Sequence, residues 1–179
     1  MPGHLAMLVA FGGLPGTGKN TVARALARRV GAMHLRIDAI EQAIRGAGVL
    51  ADDVGVAGYA VGHALAETNL ALGLAVVADC VNPVADSRAG WRAVAQRAGC
   101  GIIEVELVCS DEAEHRRRVG ARKADIPGLL LPGWDAIRAR IYEPWTEPHL
   151  VIDTARMEVG QAVERIARRM EEVRAAGEP

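Results

Sequence analysis

The chain has 179 residues and a formal net charge of −1, so it has the length of one ordinary domain and no global attraction to nucleic acid or anionic membranes. Half of it is hydrophobic, but aromatic residues make up only 3%, which leaves little for a base-stacking platform and argues against a dedicated single-strand nucleic-acid binder.

The first element is the apolar run Leu5–Phe11, which reads as a buried strand. It has no basic flank and is interrupted by Gly12 and Gly13, so it is not read as a signal peptide. Gly13, Leu14, Pro15, Gly16, Thr17, Gly18, Lys19 and Asn20 follow, fitting the phosphate-loop pattern G-x-x-x-x-G-K-[ST] at every position but the last. Lys19–Val30 continues with apolar residues at helical spacing, which completes the strand–loop–helix context the pattern needs. In that context the three glycines let backbone N–H groups turn inward as an anion nest. Lys19 adds a point charge for the β- and γ-phosphates of ATP, and the helix aims its positive end at them. Asn20 stands where a hydroxyl normally reaches Mg²⁺, so its amide oxygen is the candidate metal ligand. Thr21 completes the loop set but points about 100° around the helix from that direction.

His34–Ile37 reads as the second strand, ended by Asp38. A carboxylate there either accepts a proton from a substrate hydroxyl or caps the helix Ala39–Ala47. That helix carries Arg45 and the next, Val54–Leu72, carries Tyr59, both candidate substrate contacts. The third strand, Leu74–Ala78, is ended by Asp79, a Walker-B-like acid placed to hold Mg²⁺ directly or through water. Neither it nor any other apolar segment is long and glycine-poor enough to span a bilayer, so no membrane partner is expected. Cys80, Cys100 and Cys109 lack C-x-x-C spacing and read as reduced, mostly buried thiols of a cytoplasmic protein without a zinc site.

Asn82, in the turn before Pro83, either contacts substrate or satisfies its own backbone. In the helix Asp86–Ala98, Arg88 is a candidate for a substrate anion or for a salt bridge, and Trp91 is core packing. The strand Gly101–Cys109 and the helix Asp111–Val119 lead into the densest basic run, His115 to Arg118 with Arg122 and Lys123, just before a Gly/Pro-bounded segment at 124–133. A charge run is ordinarily a solvated face, but this placement makes Arg118 and Arg122 candidates for phosphate contacts. Trp134–Tyr142 reads as helix, Leu150–Ile152 as the last strand and Glu158–Ala175 as the last helix. Asp153 lies between these last two, either near an adenine or as a structural cap. The alternation implies one α/β domain over 1–179, with a parallel doubly wound sheet and ligands at the strands' carboxyl ends.

With these residues in place the chain resembles the small P-loop kinases, the group that includes adenylyl-sulfate, gluconate, shikimate and chloramphenicol kinases and the polynucleotide kinase domain. It is more narrowly similar to bacterial AAA-family ATPases and predicted kinases. The features shared with these are Asp79 to Pro83 with Arg88 and Trp91, the run Cys109 to Arg118, Asp125 to Gly128, and Tyr142 to Trp145. The resemblance implies a three-layer P-loop fold with strand order 2-3-1-4-5, ATP and Mg²⁺ on the loop, Asp38 near the acceptor hydroxyl, and a lid over approximately 116–135 that carries Arg118 and Arg122. It implies transfer of the γ-phosphate of ATP to a hydroxyl of a small-molecule acceptor, with a polynucleotide or RNA 5′-hydroxyl kinase as the less favoured alternative. Asn20 motivates a third reading, a nucleotide-binding regulatory module with little turnover.

Overall fold

The computed structural model, which describes residues 6–48 and 54–177, is built around a strand with no exposed face. All six residues of β1 (Met7–Gly12) are buried, with Met7, Val9 and Phe11 in one apolar layer and Leu8 and Ala10 in the other. A strand covered on both sides needs an unbroken apolar run, and that is how its sequence reads. Leu5, the expected start of this strand, lies outside the described residues.

In chain order there follow α1 (Lys19–Val30), β2 (Met33–Arg36), α2 (Ile37–Gly46), α3 (Ala57–Ala71), β3 (Val76–Asp79), α4 (Ala85–Ala98) and β4 (Gly101–Val108). The chain continues through α5 (Glu112–Ala121), α6 (Trp134–Arg138), β5 (Leu150–Asp153) and α7 (Val159–Gly177). The strands pair in parallel in the order β2-β3-β1-β4-β5, the arrangement of the P-loop NTPase fold. One layer packs Val22 and Leu26 of α1 with Ile166 and Met170 of α7 against the sheet. The other packs Ile37, Ala66, Leu70, Trp91 and Val94 from α2, α3 and α4. Glu104, buried on β4, is neutralised by Arg92 of α4 at 2.9 Å.

Register positions the site. Asp79 lies level with Phe11 of β1 and with Arg36 of β2, so the carboxyl ends of three adjacent strands open at one edge. Two local readings are corrected here. β2 ends at Arg36 and α2 begins at Ile37 with no linker, so Asp38 sits in the first turn of α2 and not at a strand end; the cap position is Arg36, with extended backbone and no side-chain cap bond. The helix expected over Trp134–Tyr142 stops at Arg138, because the chain beyond it is drawn across the sheet by contacts described below. Asp111 does cap α5, accepting from the Glu114 N–H at 3.0 Å.

Candidate active site

The loop between β1 and α1 closes around one carbonyl. The Leu14 oxygen accepts from the Thr17 N–H at 3.3 Å, the Thr17 hydroxyl at 2.8 Å and the Lys19 ammonium at 3.4 Å. Gly16 and Gly18 hold φ of +89° and +91°, backbone that a side chain resists and glycine allows. Both flanks are braced from outside. His115 of α5 reaches the Pro15 carbonyl through Nε2 at 2.9 Å, which fixes Nε2 as the protonated nitrogen. The Thr154 hydroxyl, just past β5, donates to the Thr17 carbonyl at 2.8 Å.

Lys19 is only 9% exposed. Burial lowers its pKa, and the carboxylates of Asp79 and Asp38 pull the other way. All three line one cavity of about 960 Å³. Asp79 is 5% exposed, and its Oδ2 has no hydrogen-bond partner; His34 Nε2 lies 3.6 Å from it. Glu41 and Arg45 of α2 pair at 3.6 Å on the same wall, where burial first and the Asp38 charge second raise the Glu41 pKa.

The segment after α5 covers this cavity with Gly128 to Pro132. Arg118 donates to the hydroxyl and carbonyl of Thr154 at 2.9 and 3.0 Å and to Glu114 at 2.7 Å. Glu114 in turn is held down to about 2 by its hydrogen bonds from Arg117 and Arg118. Arg122 donates to the Pro132 carbonyl at 3.0 Å and keeps its Nε unpartnered in the cavity wall. Asp125 ties this segment to the opposite side, accepting from Arg36 at 2.8 Å and from the Asn20 amide at 3.2 Å.

A family model described as AAA domain, AAA_33, matches residues 8–144. The chain belongs to this AAA domain family. Among curated proteins none matches it. Among solved structures the domain is similar to Kti12 of Chaetomium thermophilum, in complex with ADP-AlF3, at 18% identity and a TM-score of 0.68, over 93% of this chain and 98% of that one. It is similar to a gluconokinase of Sinorhizobium meliloti 1021 at 20% identity and a TM-score of 0.65, over 97% and 99%. A third is the APS kinase CysC of Mycobacterium tuberculosis in complex with AMPPNP and APS, at 20% identity and a TM-score of 0.62, over 93% and 98%. At these identities the likeness is one of fold.

Within this AAA domain Pro15, Gly16 and Gly18 of the loop are brought to one cleft with Lys19, Asn20, Thr21, Asp38, Arg45, Asp79, Arg118 and Arg122, while Gly13, Leu14 and Thr17 do not line it. Four sequence candidates are placed elsewhere. Asn82, 0% exposed and at φ +50°, donates to the Phe11 carbonyl at 2.9 Å and accepts from the Trp91 indole at 3.1 Å, so it joins β1 to α4. Tyr59 accepts from the Asn82 N–H at 3.1 Å, and burial pushes its hydroxyl pKa up, away from any acid–base role. Arg88, 4% exposed, donates to the carbonyls of Asn82, Glu143 and Pro144 at 3.1–3.3 Å and lies 4.9 Å over the Trp145 ring. It fastens the 143–145 segment and faces no cleft. Asp153 caps the turn after β5 by accepting from Ser110 and Ala155; the adjoining groove is lined instead by Thr154 to Gly160.

The sequence reading missed Arg36, His34 and the Asp125 tie. In the sequence Asp125 stands out only within the Asp125 to Gly128 pattern, just past the basic run, with nothing to mark its partners.

Proposed function

We propose that the cleft binds ATP with Mg²⁺ and transfers its γ-phosphoryl group to a hydroxyl of a small-molecule acceptor. The convergence of Lys19, Asp79 and Asp38 on one cavity, beneath a segment bearing Arg118 and Arg122, is the observation that carries this reading. The acceptor oxygen bonds to the γ-phosphorus as the bond to the bridging oxygen of ADP breaks, and Asp38 takes the hydroxyl proton. Lys19 and the two arginines offset the charge that moves onto the phosphoryl and bridging oxygens. The groove of Thr154 to Gly160 receives the nucleoside. A cavity of about 960 Å³ is at the upper end of small-molecule sites and accommodates nucleotide phosphates with a compact acceptor.

Mg²⁺ fits on one observation: Asp79 lines this cavity, and one of its carboxylate oxygens is buried without a hydrogen-bond partner. Among the described residues no group of three or more His, Cys, Asp or Glu is arranged to hold a metal alone, so the ion arrives with the nucleotide. Asp79 would hold it, with Asn20 beside it on the loop, and the ion would supply charge neutralisation for the phosphates.

ADP formation measured with gluconate, adenylyl sulfate or a 5′-hydroxyl oligonucleotide as acceptor tests the proposal. An acceptor should accelerate turnover, and Asp38→Asn should lower kcat by roughly 10²–10⁴-fold with little change in ATP affinity. The Asn20 bond to Asp125 favours a second reading, a nucleotide-binding module with little turnover. Tight nucleotide binding with no acceptor-dependent ADP formation selects that one.

A further inference from the structure

Asp125 has no task in the reaction as described. It stands between α5 and α6 in the covering segment, and both of its side-chain partners belong to other elements. The Arg36 guanidinium donates to its Oδ2 at 2.8 Å and the Asn20 amide donates to the same oxygen at 3.2 Å. Asn20 is the loop position where the motif has a metal-seeking hydroxyl, and here its N–H group is committed to a carboxylate brought from 105 residues away. Arg36, the other partner, is level with Asp79 across β2 and β3. Asp79 lines the same cavity, is 5% exposed, and keeps its Oδ2 without a hydrogen-bond partner. Position 20 of the loop thus offers no hydroxyl, and a carboxylate from the covering segment is hydrogen-bonded to the residue that stands there.

Resting on the reading of this cleft as a metal–nucleotide site, we propose that Asp125 completes the metal–nucleotide shell that Asn20 leaves short, so that the covering segment and not the loop supplies the missing oxygen. Mg²⁺ with bound phosphates takes one or two carboxylates in preference to a neutral amide. Asn20 then acts as the group that orients this carboxylate, as outer-shell donors do. Arg36 keeps the carboxylate ionised and close while the cleft is empty of metal. Closing the cover and completing the metal shell become the same event, so metal and lid are coupled in this chain.

The test is titration calorimetry of ATP on the full chain, once with excess Mg²⁺ and once with EDTA, supported by the electron paramagnetic resonance signal of Mn²⁺ bound with ATP. The wild type should bind ATP more tightly with Mg²⁺. Asp125→Asn should lose about tenfold or more of that metal-dependent gain, while affinity in EDTA holds or rises. Asp125→Glu should keep part of the gain, and adding Asn20→Ser to Asp125→Asn should restore it by returning the hydroxyl. If Asp125→Asn leaves the gain intact, or weakens binding equally in Mg²⁺ and EDTA, Asp125 is only a latch and the proposal falls. If the wild type binds ATP in neither condition, the phosphotransferase reading fails as well.

Discussion

Lys19 carries a conflict that a binding residue tolerates and a structural residue does not. Its ammonium is buried, hydrogen-bonded among the described residues to the Leu14 carbonyl at 3.4 Å, and only partly compensated by Asp79 and Asp38. Its pKa in the folded chain therefore lies below the unfolded value of 10.5. Between the two values the unfolded chain binds more protons, so the folded chain gains stability as pH rises through that window. Lys19→Met should accordingly leave the ligand-free protein as stable as the wild type or more so in urea unfolding at pH 8, while removing nucleotide binding. A loss of several kcal/mol would show that the ammonium holds the loop and is not a phosphate group's counter-charge. A phosphate beside Lys19 raises its pKa again, so nucleotide binding should take up protons in alkaline buffer below pH 10.5, detectable as a buffer-dependent binding heat.

At the scale of elements, the 143–145 segment shows what engages some of the sequence candidates away from the cleft. Trp145 packs against Gly12 and donates its indole N–H to Tyr142 at 2.8 Å, Tyr142 donates to Glu106 of β4 at 3.0 Å, and Arg88 of α4 binds the Glu143 and Pro144 carbonyls. The strap thus joins α4 to the carboxyl end of the sheet through partners far apart in sequence. Arg88→Ala would remove the donor to the buried Asn82 carbonyl and the tie to Glu143 and Pro144, and should cost about 1–3 kcal/mol of unfolding free energy in urea, with KM for the acceptor unchanged. A raised KM at unaltered stability would return Arg88 to the substrate.

The loop and Asp79 were legible because strand–turn–helix spacing and a strand end fix where those side chains stand; Asp38 was found beside the cleft although it stands in the first turn of α2 and not at a strand end. Arg88 and Asn82 were not, since backbone carbonyls are their partners and carbonyls leave no mark on a sequence. The Asp125 tie was hidden by its 89- and 105-residue separations from Arg36 and Asn20.

For the whole molecule, the sheet sets three strand ends level, α1 leaves the phosphate loop directly, and the α5–α6 segment covers the opening. The fold therefore brings the glycine-rich loop, the buried Lys19 ammonium and the carboxylates of Asp38, Glu41, Asp79 and Asp125 to a single covered cavity. Arg122, with its unpartnered Nε in that wall, belongs to the cover's contribution: Arg122→Gln should lower kcat by about tenfold or more with ATP affinity within a few-fold of wild type. Everything proposed for the cleft depends on phosphate binding at the loop. Calorimetric titration of Mg²⁺-ATP and Mg²⁺-ADP into the wild type and Lys19→Ala tests it most directly. One nucleotide should bind per chain, weakened about a hundredfold or more by the substitution. No binding to the wild type at millimolar nucleotide, or equal binding to both proteins, would contradict it.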